Sequence, residues 1–340
     1  MKKKIIFFLF ILLFSTLYAD FTMSFVGDIL LSYKMEPYLS QQGPTYPFMN
    51  VTSVLRKSKI VNGNLESPIG LSGTPMQNKS FYFIAQPKTV EGLVYAGFNI
   101  LNLANNHILD FGELAFYDTL NILKNTGIET VGAGSNFSQA AQLKIIQQDN
   151  LKLGFLSFCN VAPETFYATK KYPGIIKATA NNVKTLVTKN AQKVDILITI
   201  FHWGKEYSDE LIAKQRELAH LAIDSGANLV IGHHPHIIQP LEIYHKTLIA
   251  YSLGNFVFGT YGYPPKKTAD KSMILNIKVD GKIKSAEIIP LNIFNYDVKF
   301  QPQIAQGKKA QEILQYYSKL SSPYGVQIKI KNNKGSIQLP

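Results

Sequence analysis

A chain of 340 residues with 46% hydrophobic content and no low-complexity tract can bury a proper core, which argues against disorder. Its one cysteine, Cys159, excludes an internal disulfide and any cysteine-rich zinc site, so folding must rest on the core or on bound ligands. The formal charge of +12 falls to +9 once three leader lysines are set aside; this suits either a solvated basic surface or attraction to an anionic polymer, a phosphoester or a membrane surface. No aromatic-interleaved basic stripe points to nucleic acid.

In chain order the first element is a leader. Three lysines precede the apolar run Ile5 to Leu13, and small Ala19 stands before Asp20, the layout of a secretory signal over residues 1–19. The run is shorter than the roughly 20 apolar residues of a spanning helix. Leu17 is not ideal before a cleavage site, so an uncleaved N-terminal anchor is the alternative. The expected location is exported, periplasmic or associated with the cell envelope.

From Phe21 onward short apolar runs alternate with helical patterns. "FTMSFVGD" reads as a strand, then a helical stretch near Met49 to Lys57, then the strand "KIVNGNLE". "PKTVEGLVYAG" is helical, "FNILNLANNH" a strand, "GELAFYDTLNILKNTG" a helix and "IETVG" a strand. "LKLGFLSF", the helical "NNVKTLVTKNAQK" and the strand "VDILITIFHWG" follow. The spacing predicts a helix over "SDELIAKQRELAHLAIDSG", with Ser208 and Asp209 as cap candidates and Gly226 as its stop. "ANLVIGHH", "IIQPLEIY" and "TLIAYSLGNFVF" read as strands, and Asp280-Gly281 marks a hairpin between alternating strands. This alternation predicts an α/β protein with helices covering mixed sheets. The main domain is expected over 20–295, with 296–340 a surface helix and a tail or terminal hairpin.

The polar residues of interest share an address. Asp28, Glu66, the trio Asn105, Asn106 and His107, then His202, and the run His233, His234 and His236 all stand at the ends of predicted strands. In an open α/β sheet those ends open into a crevice where ligands bind. Carboxylates, imidazoles and an amide oxygen without thiolate suit manganese, zinc or iron rather than calcium. His234-Pro235-His236 is expected to be extended, with both rings on one side and His233 pointing away. His220 and His245 lie elsewhere and read as structural or solvated.

The ordered motifs "GDILLS", "NGNLESP", "NLANNHILDFG", "FHWGKEY", "GHHPHIIQP" and "SLGNFVF" resemble the CapA family, which is associated with capsule and poly-γ-glutamate synthesis and is similar to calcineurin-like metallophosphoesterases. The resemblance implies a four-layer α/β/β/α sandwich of the metallophosphoesterase type with mixed sheets. It implies one or two divalent metal ions held by Asp28, Glu66, Asn106, His202, His234 and His236. His107 would be the catalytic group, kept protonated and aimed by Asp110. His233, Asn64, Asn105 and Asn255 are candidate supporting or substrate contacts. The superfamily usually has a histidine two positions after its first aspartate; Leu30 stands there instead, so one metal of two would lack a ligand. The function implied is synthesis, export or trimming of an anionic polymer, carried out as a metal-dependent hydrolase, with a membrane synthesis or export complex as partner. The alternatives are a general periplasmic phosphoesterase and a non-catalytic polymer-binding subunit.

Overall fold

The computed structural model describes residues 20–77, 79–260 and 270–340, so the leader reading falls outside the described residues. The strands that position the site are β1 (Phe21–Leu30), β2 (Ile60–Leu65), β3 (Ile100–Asn102), β4 (Glu129–Val131), β5 (Lys144–Gln148), β6 (Leu151–Cys159), β7 (Ile196–His202) and β8 (Leu229–His233). They are followed by β9 (Leu241–Tyr244), β10 (Thr247–Ala250), β11 (Asn255–Phe258), β12 (Lys271–Asp280), β13 (Lys282–Asn292), β14 (Lys329–Lys331) and β15 (Lys334–Gln338). The main helices are α1 (Glu36–Gln42), α2 (Val90–Ala96), α3 (Gly112–Asn125), α4 (Ala180–Ala191), α5 (Ala213–Asp224) and α6 (Gly307–Ser321).

Two mixed sheets face each other. One runs β14-β15-β13-β12-β1-β2-β3-β4, with β11 also on β1; the other runs β9-β10-β8-β7-β6-β5. Between them lies an apolar core of alternate strand residues, among them Phe25, Met23, Leu275, Ile288, Phe155, Ile198 and Ile231. A second cluster joins the outer face of the first sheet to α2 and α3 through Leu93, Phe98, Phe116 and Leu123. A third joins the other sheet to α4 and α5 through Val183, Val187, Leu218 and Ala222. Helix, sheet, sheet, helix is the four-layer arrangement, and the sheets are mixed.

Strand β1 departs from regular alternation. Val26 and Ile29, three positions apart, both belong to the helix-side cluster, whereas strict alternation would put them on opposite faces. The pairing of β1 with β2 slips between Phe25 and Asp28, a bulge that turns Asp28 toward the opposing sheet. There β1 also changes neighbours: Phe21 to Phe25 pair with β12, and Asp28 onward pairs with β11.

Three expectations change. Strand β3 stops at Asn102 because asparagine side chains take over the backbone: Asn102 Oδ1 accepts the Ala104 N–H at 3.0 Å and Asn105 Oδ1 the His107 N–H at 3.0 Å. Helix α5 begins at Ala213, where Gln215 Oε1 accepts the Ile212 N–H; Ser208 and Asp209 do not cap it. Asp209 instead accepts a hydrogen bond from the Tyr316 hydroxyl at 2.8 Å. Helix α6 keeps an exposed face at Lys308, Glu312, Gln315 and Lys319, but its other face goes deeper than a helix laid on the surface. It buries Ala310, Ile313, Leu314 and Tyr317 in the inter-sheet core, and at ~1.5–3 kcal/mol per large apolar side chain that burial makes it part of the core. The hairpin β14–β15 extends the first sheet through β13. Among the described residues no helix is long and apolar enough to cross a membrane.

Candidate metal centre

Strand ends from both sheets meet at one edge of the sandwich. Strand β1 delivers Asp28 and β2 runs out into Glu66, while β7 ends on His202 and β8 on His233, with His234 and His236 just beyond. Gly27 and Gly232 permit the close packing this needs. A β-carbon on Gly27 would stand 1.8 Å from the Gly254 carbonyl oxygen, and one on Gly232 2.0 Å from that of Tyr251. With Gly27 bare, the Asp28 N–H reaches Gly254 O at 3.0 Å and Asp28 sits beside Asn255.

The donors form two trios that share a carboxylate. Ligand atoms of Asp28, Glu66 and His202 lie within 4.8 Å of one another, and so do those of Glu66, His234 and His236. His202 Nε2 is 2.7 Å from Asn106 Oδ1 and 3.6 Å from Glu66 Oε1, so an amide oxygen joins the first trio. His236 Nδ1 lies 2.9 Å from Asn255 Oδ1 and 3.3 Å from Asp28 Oδ2; these acceptors hold its Nδ1–H and leave Nε2 facing Glu66, 3.7 Å from Oε1. Asn64 sits beneath both trios. Its amide nitrogen donates to Asp28 Oδ1 at 2.8 Å and to Glu66 Oε2 at 3.4 Å, and its oxygen accepts from Asn102 at 2.7 Å and Asn105 at 3.1 Å.

Beside the trios, His107 Nδ1 is 2.7 Å from Asp110 Oδ2. Lys79, which sequence reasoning missed, reaches the same carboxylate. Its Nζ bonds Asp110 Oδ1 and the Asn106 carbonyl oxygen, the latter at 2.5 Å, and lies 3.0 Å from His107 Nδ1. It comes from the Gly/Pro-punctuated connection before α2, where no periodicity marks a lysine as inward-facing.

Burial sets the charge balance. It raises the Glu66 carboxyl well above its ordinary value, and the neighbouring Asp28 charge adds to this. Burial also acts against ionisation of Asp28, but the His233 and His236 imidazoles outweigh it and hold that carboxyl well below the usual range. Burial pushes His234 down to about 3 and His202 well below the ordinary histidine value, each helped by a neighbouring imidazole. His236 goes the other way despite its burial, lifted to about 10 by Glu66 and Asp28. Burial lowers His107 too, against the opposing pull of Asp110.

Glu66 Oε1, His234 Nδ1 and both ring nitrogens of His233 are buried without a hydrogen-bond partner among the described residues. Each such orphan costs roughly 1–3 kcal/mol. Glu66 and His234 belong to the trios, and a divalent cation there would give the shared carboxylate oxygen the partner it lacks, so the donor set fits one. The histidine run is not extended as expected: φ is +96° at His234 and +60° at His236. Nor does His233 point away, since its Nδ1 lies 3.2 Å from Asp28 Oδ1, out of line for a hydrogen bond. Leu30 packs with Phe83 and Phe258, whose rings lie 4.8 Å from His107 and His236 respectively. Where the resemblance would place a histidine this chain has an apolar wall. Trp203 is core, its ring stacked on Phe201 and its Nε1–H on Tyr251 O, whereas Tyr207 stands 5.8 Å from the His236 ring.

Residues 22–260 match the family described as bacterial capsule synthesis protein PGA_cap. The chain belongs to that family. It is 33% identical over 281 residues to the PGA biosynthesis protein CapA of Bacillus subtilis, covering 81% of this chain and 73% of the relative. It is 31% identical over 279 residues to the capsule biosynthesis protein CapA of Bacillus anthracis, covering 80% and 67%. Among solved structures it is similar to a phosphatase from Mycoplasma pneumoniae (TM-score 0.50, 15% identity, 81% of this chain and 94% of that one). It is also similar to a 5'-nucleotidase precursor from Thermus thermophilus (TM-score 0.50, 12% identity, 88% and 59%). These two likenesses speak to the metallophosphoesterase-type fold alone. The PGA_cap match takes in every site residue from Asp28 to Asn255 and leaves α6 and the β14–β15 hairpin outside it.

Proposed function

We propose that this PGA_cap protein serves synthesis, export or trimming of an anionic extracellular polymer of the poly-γ-glutamate type, as a metal-dependent hydrolase of the cell envelope working with a membrane synthesis or export complex. The observation that carries the reading is the pair of carboxylate–imidazole trios sharing Glu66 beside the His107–Asp110 pair. The relatives' names and the basic net charge support the polymer.

Asp28, Glu66, Asn106, His202, His234 and His236 would hold manganese, zinc or iron. An ion held there would supply Lewis acidity toward the reacting carbonyl or phosphoryl oxygen. Asn64 and Asn255 fix the directions of the carboxylates and of the His236 ring. Asp110 accepts the His107 Nδ1–H, which leaves Nε2 to move a proton between the attacking water or leaving group and the cleft. Leu30, Phe83 and Phe258 keep water from that flank.

The test is metal analysis of the purified protein after loading with manganese, zinc or iron, paired with turnover of poly-γ-glutamate. His234→Ala and His236→Ala are expected to lose most of the ion. His107→Ala is expected to keep it while turnover drops by about 10²-fold or more. No ion bound under any divalent loading overturns the reading, and robust turnover of small phosphoesters in place of polymer marks a general phosphoesterase instead.

A further inference from the structure

We propose that Tyr33, Lys34 and Phe81 form a polymer-binding subsite on the rim of the candidate centre, with rings for the methylene groups of the chain and an ammonium for its carboxylates. The inference rests on the reading of the substrate as a polyanion of the poly-γ-glutamate type.

Single exposed apolar side chains need no explanation, but these are joined to one another and to the site. Tyr33 stands in the turn before α1, 45% exposed, and Phe81 in the connection between β2 and α2, 52% exposed. Both rings meet Phe83, Tyr33 edge-on with ring centres 5.8 Å apart and Phe81 stacked at 6.4 Å. Phe83 is nearly buried, packs with Leu30 and Phe258, and has its ring centre 4.8 Å from that of His107. Its N–H donates to Asp110 Oδ2 at 2.9 Å, which fixes this part of the connection beside the site. The ring contacts thus run unbroken from an exposed rim to His107.

Tyr33 is displayed against its own backbone preference. Its φ is +63°, a left-handed conformation that a β-carbon disfavours. Glu36 Oε1 accepts its N–H at 3.2 Å, and Gly259 O accepts the Lys34 N–H at 2.9 Å, so the turn is held by its partners. Burial of the ring does not offset that strain, since the ring stays half-exposed; contact with a ligand would. Beside it the Lys34 ammonium lies 5.1 Å from the Tyr33 ring centre, and among the described residues no carboxylate pairs with it.

Ring and cation together match the polymer. Each γ-linked glutamate sets a methylene pair next to a carboxylate-bearing carbon, so apolar and anionic groups alternate along the chain, and a ring beside an ammonium meets both. A bilayer surface offers similar chemistry, but these contacts lead inward to His107, itself nearly buried, where a flat surface cannot follow.

The experiment is titration calorimetry of the full chain with a poly-γ-glutamate fragment over a range of salt concentrations, and with vesicles of anionic phospholipid. Both substituted side chains are exposed, so neither change threatens the fold. Phe81→Ala is expected to raise the Kd for the fragment about fivefold with its salt dependence kept. Lys34→Gln is expected to raise it about threefold with a shallower salt dependence. The double variant should lose about tenfold or more. A wild-type Kd in either single variant overturns the proposal. So does a chain that binds no poly-γ-glutamate, and binding to the vesicles alone would mark a membrane face instead. Turnover is read separately. A chain that binds the polymer through these residues without cleaving it keeps the subsite and loses the hydrolase reading, and cleavage with unmoved Kd values does the reverse.

Discussion

Asn64 does at residue scale what neither carboxylate could do alone. Asp28 and Glu66 repel each other in a buried site, and the uncharged amide of Asn64 donates to both while Asn102 and Asn105 hold its oxygen. Asn64→Leu would strand the Asp28 oxygen and the two asparagine donors. At roughly 1–3 kcal/mol per orphaned group, a loss of about 3–5 kcal/mol in urea unfolding is expected, together with weaker ion loading. Much of this site was legible in the sequence, because Asp28, Glu66, His202 and the histidine run all stand at strand ends. Lys79 was not, since a loop lysine carries no signal of where its ammonium goes. The left-handed backbone at His234 and His236 was hidden too, because the alternating His-Pro-His pattern argued for extension.

Among the elements, β1 shows how backbone geometry creates the chemistry. Its bulge turns one carboxylate inward, and Gly27 lets β11 come close enough to bring Asn255 alongside. Gly27→Ala carries no ligand change, yet its β-carbon would overlap the Gly254 carbonyl. A destabilisation of about 3 kcal/mol is expected, seen as a lower melting temperature with reduced ion loading. A variant that melts like wild type would mean the strands can part without harm. The strand and helix order was readable from apolar period, as was the Asp280-Gly281 hairpin, whose flanks pair as Asp280 with Lys282. Boundaries governed by distant partners were not. Asp209 looks like a cap until Tyr316 of α6 claims its carboxylate, and how deeply the inner face of α6 packs shows only once the edge of the inter-sheet core is there to receive it.

At the scale of the whole molecule, one charged cluster ties the α5 layer to the sheet beneath it. Glu242 of β9 accepts from the Tyr251 hydroxyl at 2.6 Å and lies 3.1 Å from both Arg216 and His220 of α5. Burial would raise its carboxyl, but these partners outweigh burial and hold it below the ordinary value. The folded-state pKa therefore lies under the unfolded one. The resulting stability is present above the ordinary glutamate range and is lost as pH falls through the folded value. Glu242→Gln is expected to lower the urea midpoint at pH 7, by about 1–2 kcal/mol in stability, with the gap to wild type closing toward pH 3. The pairing of β1 carries a consequence for how the protein comes into being. Phe21 joins Val279 and Asp28 joins Asn255, so β1 waits for partners more than 200 residues further along the chain. Such long-range closure is slow. The donor cluster is thus completed late, after translation has passed residue 255.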